Sequence, residues 1–128
     1  MSKLKILIVD DEEELVYTLS ERLQFRDFDA DPAINSGDAL KLVHVKKYDV
    51  AIIDLKMPVV GGMELMKMIH HISPETKVIL MTGHCSEEEG KSGISKGAYD
   101  YLIKPVSINI LIEKITGCCN VNNEGASR

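Results

Sequence analysis

The chain predicts an α/β domain built on a doubly wound, five-stranded parallel sheet, on three features of its residue order. Short apolar runs recur without polar alternation: Ile6-Leu7-Ile8-Val9, Val50-Ala51-Ile52-Ile53, Val78-Ile79-Leu80-Met81 and Tyr101-Leu102-Ile103. Such runs suit strands covered on both faces, the condition of a parallel sheet. Between them lie stretches with apolar residues at helical spacing, and glycine and proline punctuate the joins.

In order, the strand at 6–9 leads into a helix that carries Leu15, Leu19 and Leu23 on one face. A weaker strand follows at about 28–33, then a helix over about 36–46 that turns Ala39, Leu40, Leu42 and Val43 inward. The strand at 50–53 precedes a third helix marked by Met63, Leu65, Met66 and Ile69; Pro58 and Gly61-Gly62 break the chain before it and Ser73-Pro74 closes it. The strand at 78–81 precedes a fourth helix that Gly97 ends, and the strand at 101–103 precedes a fifth. Repeated βα units with right-handed crossovers, at this length, favour the flavodoxin-like strand order 2-1-3-4-5. The domain takes residues 1–119. The polar stretch 120–128 lacks periodicity and reads as a frayed tail or the start of a linker.

At 128 residues, 45% of them hydrophobic, the chain supports one core and one domain. A net charge of −5, with no cluster of Lys or Arg, excludes direct neutralisation of a nucleic-acid backbone. Cys85, Cys118 and Cys119 have neither disulfide-framework nor zinc-site spacing, which leaves reduced thiols in a cytosol. Met1-Ser2-Lys3-Leu4-Lys5 runs directly into an apolar stretch too short for a signal core or a membrane span. A soluble, cytoplasmic protein is the expectation.

The chemistry collects just after the strands. Asp10 and Asp11 follow the first, Asp54 ends the third, Thr82 follows the fourth and Lys104-Pro105 follows the fifth. Ligands of open α/β sheets bind at the carboxyl ends of the strands, so these residues should meet in one shallow pocket. Three neighbouring carboxylates raise one another's proton affinity unless a cation intervenes. A hard divalent cation such as Mg²⁺ answers this, keeping positions for water and phosphate oxygens. Its two positive charges and that of Lys104 offset the three aspartates. A carboxylate can serve as nucleophile and form an acyl phosphate, while cations and the Thr82 hydroxyl face the phosphoryl oxygens. Asp54 stands alone at the end of the central strand, whereas adjacent Asp10 and Asp11 are better placed to share a metal.

These residues lie in stretches that resemble one family over about residues 3–118: I-L-I-V-D-D (6–11), D-L-K-M-P (54–58), L-M-T-G-H (80–84) and G-A-Y-D-Y-L-I-K-P (97–105). Together, in this order and spacing, they are similar to the receiver domain of bacterial two-component response regulators, most of all receivers of the nitrogen-regulation type. In relatives of that type the receiver precedes an ATPase domain and a DNA-binding domain. The resemblance implies phosphorylation of Asp54 by a histidine kinase, with Mg²⁺ held by Asp11, Asp54 and the backbone carbonyl of Lys56, and by Asp10 through water. It implies that Thr82 and Lys104 bind the phosphoryl oxygens and that the Lys104–Pro105 peptide is cis. It also implies a switch in which Thr82 moves inward, Tyr101 rotates from solvent toward the core, and the face of the fourth helix, fifth strand and fifth helix is reshaped. Homodimerisation or an attached output domain would read that face. Lys56 and His84 would flank the hydrolytic water and tune the lifetime of the phosphorylated state.

Two departures stand out. Val59-Val60-Gly61-Gly62 lacks the acidic residue common before the second glycine, which suggests a looser metal-side loop. Gly83 replaces a common alanine and leaves space for an inward ring. Gly90 and Gly93 each weaken the fourth helix by about 1 kcal/mol relative to alanine, which makes it an easily biased element.

Each group also has a blander role open to it. Asp10 and Asp11 could cap the first helix, with Glu12-Glu13-Glu14 favouring its dipole, and capping is compatible with metal binding. His44, His70 and His71 suit structural or surface roles, Met63, Met66 and Met68 core filling, and Tyr101 could be plain packing. A phosphohydrolase would want a D-x-D after the first strand and a cap insertion, and both are absent. A phosphorylation-independent module on this fold would lack one or more site residues, whereas all five are present. Nucleotide or flavin binding fits poorly with an acidic first turn. The reading is a regulatory phospho-acceptor rather than an enzyme.

Overall fold

The structure is a computed structural model that describes residues 3–83 and 87–127; His84, Cys85 and Ser86 lie outside them. Five strands and five helices alternate: β1 (Lys5–Val9), α1 (Glu13–Phe25), β2 (Asp29–Ala33), α2 (Ser36–Val45), β3 (Val50–Asp54), α3 (Gly62–Ile72), β4 (Lys77–Thr82), α4 (Glu87–Ser95), β5 (Asp100–Ile103) and α5 (Ile108–Ser127). The strands are all parallel, in the order β2-β1-β3-β4-β5. The predicted fold class and strand order are borne out.

The unbroken apolar runs are explained by the two faces of the sheet. Ile6, Ile8, Val50, Ile52, Ile79 and Met81 join Leu19 and Leu23 of α1 and Leu111 and Ile115 of α5 in one core. Leu7, Val9, Ala51, Ile53, Val78 and Leu80 join Ala39 and Val43 of α2 and Leu65, Met66 and Ile69 of α3 in the other. Successive strand residues point to opposite faces, so both must be apolar when helices cover both.

The weakly legible β2 is the edge strand, where Asp29, Asp31 and Pro32 are tolerated because only one neighbour needs ladder bonds. Asn35 starts α2 by accepting a hydrogen bond from the Asp38 N–H at 2.7 Å. The first helix begins one residue later than an Asp11 cap would require: Glu12 is its N-cap, without a side-chain cap bond. The polar stretch 120–127 forms the C-terminal part of α5. Cys118 is buried in the α1/α5 core and His70 bonds the Thr76 carbonyl, both structural roles. Among the described residues no helix is long and apolar enough to cross a membrane.

Candidate functional site

Parallel register brings the strand ends to one edge: Val9 pairs with Ile53, Asp54 with Met81, and Thr82 with Ile103. Asp10 and Lys104, the next residues after β1 and β5, are anchored by backbone bonds, Asp10 N–H to the Ala33 carbonyl at 3.2 Å and Lys104 N–H to the Thr82 carbonyl at 2.8 Å. The carboxylates of Asp10, Asp11 and Asp54 each offer an oxygen within 4.8 Å of the others. Asp10 and Asp54 are buried and Asp11 is exposed. Lys104 Nζ stands 2.8 Å from Asp10 Oδ2 and 3.1 Å from Asp54 Oδ1. The Lys104–Pro105 peptide is cis.

These distances set the protonation of the group. Burial, then the Asp10 charge, push the Asp54 carboxyl up to about 6 against the pull of Lys104. Burial likewise raises Asp10 above the usual carboxylate range, with Lys104 opposing. Burial works against the Lys104 ammonium, but its ion pairs with Asp10 and Asp54 outweigh that and hold it above the usual lysine range. The single ammonium is not enough for this cluster. Asp10 Oδ2 accepts no aligned hydrogen bond among the described residues, although Lys104 is its ion-pair partner. A buried carboxylate oxygen left so, beside two more carboxylates, fits a hard cation with oxygen ligands.

Residues 6–116 match the model of the response regulator receiver domain. The chain belongs to that family. It is 33% identical over 123 residues to a putative response regulator NtrX-like from Rickettsia conorii, an alignment covering 94% of this chain and 26% of that protein. The chain therefore spans about a quarter of the length of that curated relative. A CheY-like response regulator receiver domain protein from Methanospirillum hungatei superimposes with a TM-score of 0.86 at 31% identity, covering 96% of this chain and 99% of that one. A response regulator from Burkholderia pseudomallei, solved with a phosphorylated aspartic acid, calcium ion and citrate, gives 0.82 at 26% identity, covering 97% and 74%. The receiver is thus a regulatory signalling domain, in line with the resemblance read from the motifs.

Of the other residues expected at the site, Thr82 ends β4, Lys56 follows β3 and Tyr101 lies in β5. Thr82 is buried, and its hydroxyl donates to the Gly83 carbonyl at 3.2 Å. Lys56 is exposed and pairs with Glu89 of α4 at 3.4 Å. His84 lies outside the described residues. Tyr101 is half-buried, its ring laid on Gly90 of α4, so that a Cβ at Gly90 would overlap the ring; one at Gly93 would overlap Leu80. The two glycines that weaken the helix therefore also make room for side chains of β4 and β5. Gly90→Ala is expected to displace the Tyr101 ring toward solvent, which the ring-proton shifts in an NMR spectrum report.

Sequence reasoning missed three contributors. Glu12 Oε1 lies 3.4 Å from Lys104 Nζ, a third acid on the same ammonium. Gly62, in sequence terms only a helix break, is where α3 closes on β3: a Cβ there would overlap the Asp54 carbonyl oxygen and lie 2.8 Å from the Leu55 Cα. Because those neighbours are backbone, Gly62→Ala should destabilise the receiver by about 1–3 kcal/mol in urea unfolding. Ser36 donates its hydroxyl to the Val60 carbonyl at 2.9 Å, tying α2 to the loop after Asp54. The Gly61-Gly62 pair offers a sequence signal for the close approach; the other two contacts carry none.

Proposed function

We propose that this receiver is a phospho-accepting switch of a two-component system or phosphorelay, in which Asp54 takes a phosphoryl group from a sensor histidine kinase. The observation that carries the reading is the reach of one ammonium, Lys104, to both Asp10 and Asp54 within a three-carboxylate cluster. The phosphorylated aspartic acid and calcium ion named for the Burkholderia pseudomallei relative support it.

The Asp54 carboxylate oxygen attacks phosphorus; the new O–P bond forms as the donor's P–N bond breaks, and the donor imidazole leaves with the electron pair and takes a proton. Asp10, Asp11, Asp54 and the backbone carbonyl of Lys56 would hold Mg²⁺, which when bound supplies positive charge to the carboxylates and phosphoryl oxygens. Lys104 contributes a fixed positive charge without reorganisation, since its partners already hold it beside Asp54. Once the phosphoryl group is present, the Thr82 hydroxyl leaves the Gly83 carbonyl for a phosphoryl oxygen. Tyr101 then shifts on its α4 seat and the α4, β5 and α5 face changes. That face controls homodimerisation or an attached output domain, in transcription regulation within the cytoplasm.

The test is intact mass after incubation with Mg²⁺ and a small acyl-phosphate or phosphoramidate donor. Wild type should gain one phosphoryl group; Asp54→Asn, or wild type with a chelator, should gain none. No gain in wild type, or an equal gain in the variant, contradicts the proposal. Substituting Lys56 or His84 should alter the decay of the phosphorylated state with little change in unfolding midpoint, because the exposed Lys56–Glu89 pair is worth under about 1 kcal/mol. Unchanged decay in both variants would refute that role.

A further inference from the structure

The loop between β3 and α3 joins Asp54 to the helix packed beneath it and contains Lys56. At its tip Val59 has φ 69° and its side chain is fully exposed. The Val60 N–H donates to the Pro58 carbonyl at 2.8 Å, so Val59 is the centre of a three-residue turn with positive φ. That kind of turn is rare and strained, and a β-branched residue is the least suited to it. No packing of the Val59 side chain compensates for the strain. Something else must hold the turn.

We infer that Ser36 is a positioning residue for the phosphorylation site: its hydroxyl clamps the Val60 carbonyl and so holds the strained Val59 turn in the shape that presents Lys56 and Asp54. The inference rests on the phospho-acceptor reading above. Ser36 is only 5% exposed, so the bond it makes at 2.9 Å satisfies a buried hydroxyl that would lose its partner without it. It comes from the first turn of α2, 24 positions earlier in the chain, and the Asn35 cap fixes that turn. On the other side, the Gly62 N–H donates to the Leu55 carbonyl at 2.9 Å and closes the loop's base. The loop expected to be loose for want of an acidic residue is therefore fastened at its base by backbone and at its tip by Ser36.

The clamp and the strain are two sides of one balance, and a double-mutant cycle separates them. Mg²⁺ affinity by calorimetry and the rate of phosphorylation by a small acyl phosphate are measured for wild type, Ser36→Ala, Val59→Gly and the double variant. Ser36→Ala should weaken Mg²⁺ binding on the order of fivefold, the worth of one hydrogen bond, and slow phosphorylation to match. Val59→Gly should raise the unfolding temperature without weakening Mg²⁺ binding, since glycine adopts positive φ freely. In the double variant the loss should be much smaller than in Ser36→Ala. Wild-type Mg²⁺ affinity in Ser36→Ala, or an equal loss with and without Val59→Gly, overturns the clamp alone. Failure of wild type to bind Mg²⁺ or take a phosphoryl group overturns the phospho-acceptor reading along with it.

Discussion

Replacing Lys104 by methionine should remove about 3 kcal/mol of stability from the metal-free receiver near pH 7, because it leaves two buried carboxylates without their counter-charge. Asp10 is fully buried and Asp54 nearly so, and Lys104 is the ammonium that reaches both. Methionine keeps the apolar stem, so packing contributes little to the difference. The loss should shrink at about pH 5, where both carboxyls take up protons more readily than ordinary aspartates do. Saturating Mg²⁺ should restore part of it at pH 7, since a second source of positive charge then faces the same oxygens. Urea unfolding at the two pH values, with and without Mg²⁺, reads all of this. Equal stability of the variant and wild type at pH 7 would show that the cluster does not depend on the ammonium.

Asp54→Asn should act in the opposite sense on stability while abolishing phosphoryl acceptance. The Asp54 carboxyl titrates at about 6 in the fold against an ordinary value of 3.8, so the folded state holds that proton more tightly than the unfolded chain. A carboxyl raised in this way contributes stability that is fully present below about pH 4 and is lost as the pH climbs through about 6. Asp10 is displaced in the same direction and adds to the slope. Lys104 is also raised, but its contribution is lost only in the alkaline range, so it is constant from acid to neutral pH. By neutral pH the ionised Asp54 lowers metal-free stability by up to about 3 kcal/mol, and asparagine removes most of that. The variant should therefore unfold at higher urea than wild type at about pH 7 and at nearly the same urea at about pH 4. Mg²⁺ should reverse the order at neutral pH, because it binds the ionised Asp54 of wild type, whereas asparagine offers it no charge. A variant no more stable than wild type at neutral pH without metal would contradict this balance between burial and the Lys104 charge.

The fold was legible because both sheet faces are covered. That condition forces continuous apolar strands at 6–9, 50–53 and 78–81, a signal alternating strands cannot mimic. The edge strand β2 was faint for the same reason reversed: with one neighbour, it can carry Asp29, Asp31 and Pro32. Asp10, Asp54 and Lys104 were legible because each sits at or just past a strand end, and the parallel order gathers such positions without further information. The contacts that cross between layers were not. Glu12 meets Lys104 across 92 positions and Ser36 meets Val60 across 24, and neither contact leaves a periodic trace. The strained turn at Val59 was hidden because a valine there argues against positive φ rather than for it. Helix propensity marks Gly90 as a weak point of α4 but registers only the backbone, not the Tyr101 ring resting on it.

Three aspartates stand within reach of one another, and the assignment of the phosphoryl group to one of them is the claim from which the switch follows. Reductive trapping decides it: the receiver is phosphorylated with Mg²⁺ and a small acyl phosphate, treated with borohydride so that an aspartyl phosphate becomes homoserine, and digested for peptide mass spectrometry. The expected result is homoserine at position 54 and unmodified aspartate at positions 10 and 11. Homoserine at position 10 or 11, or a fully phosphorylated protein with no homoserine at 54, would contradict it.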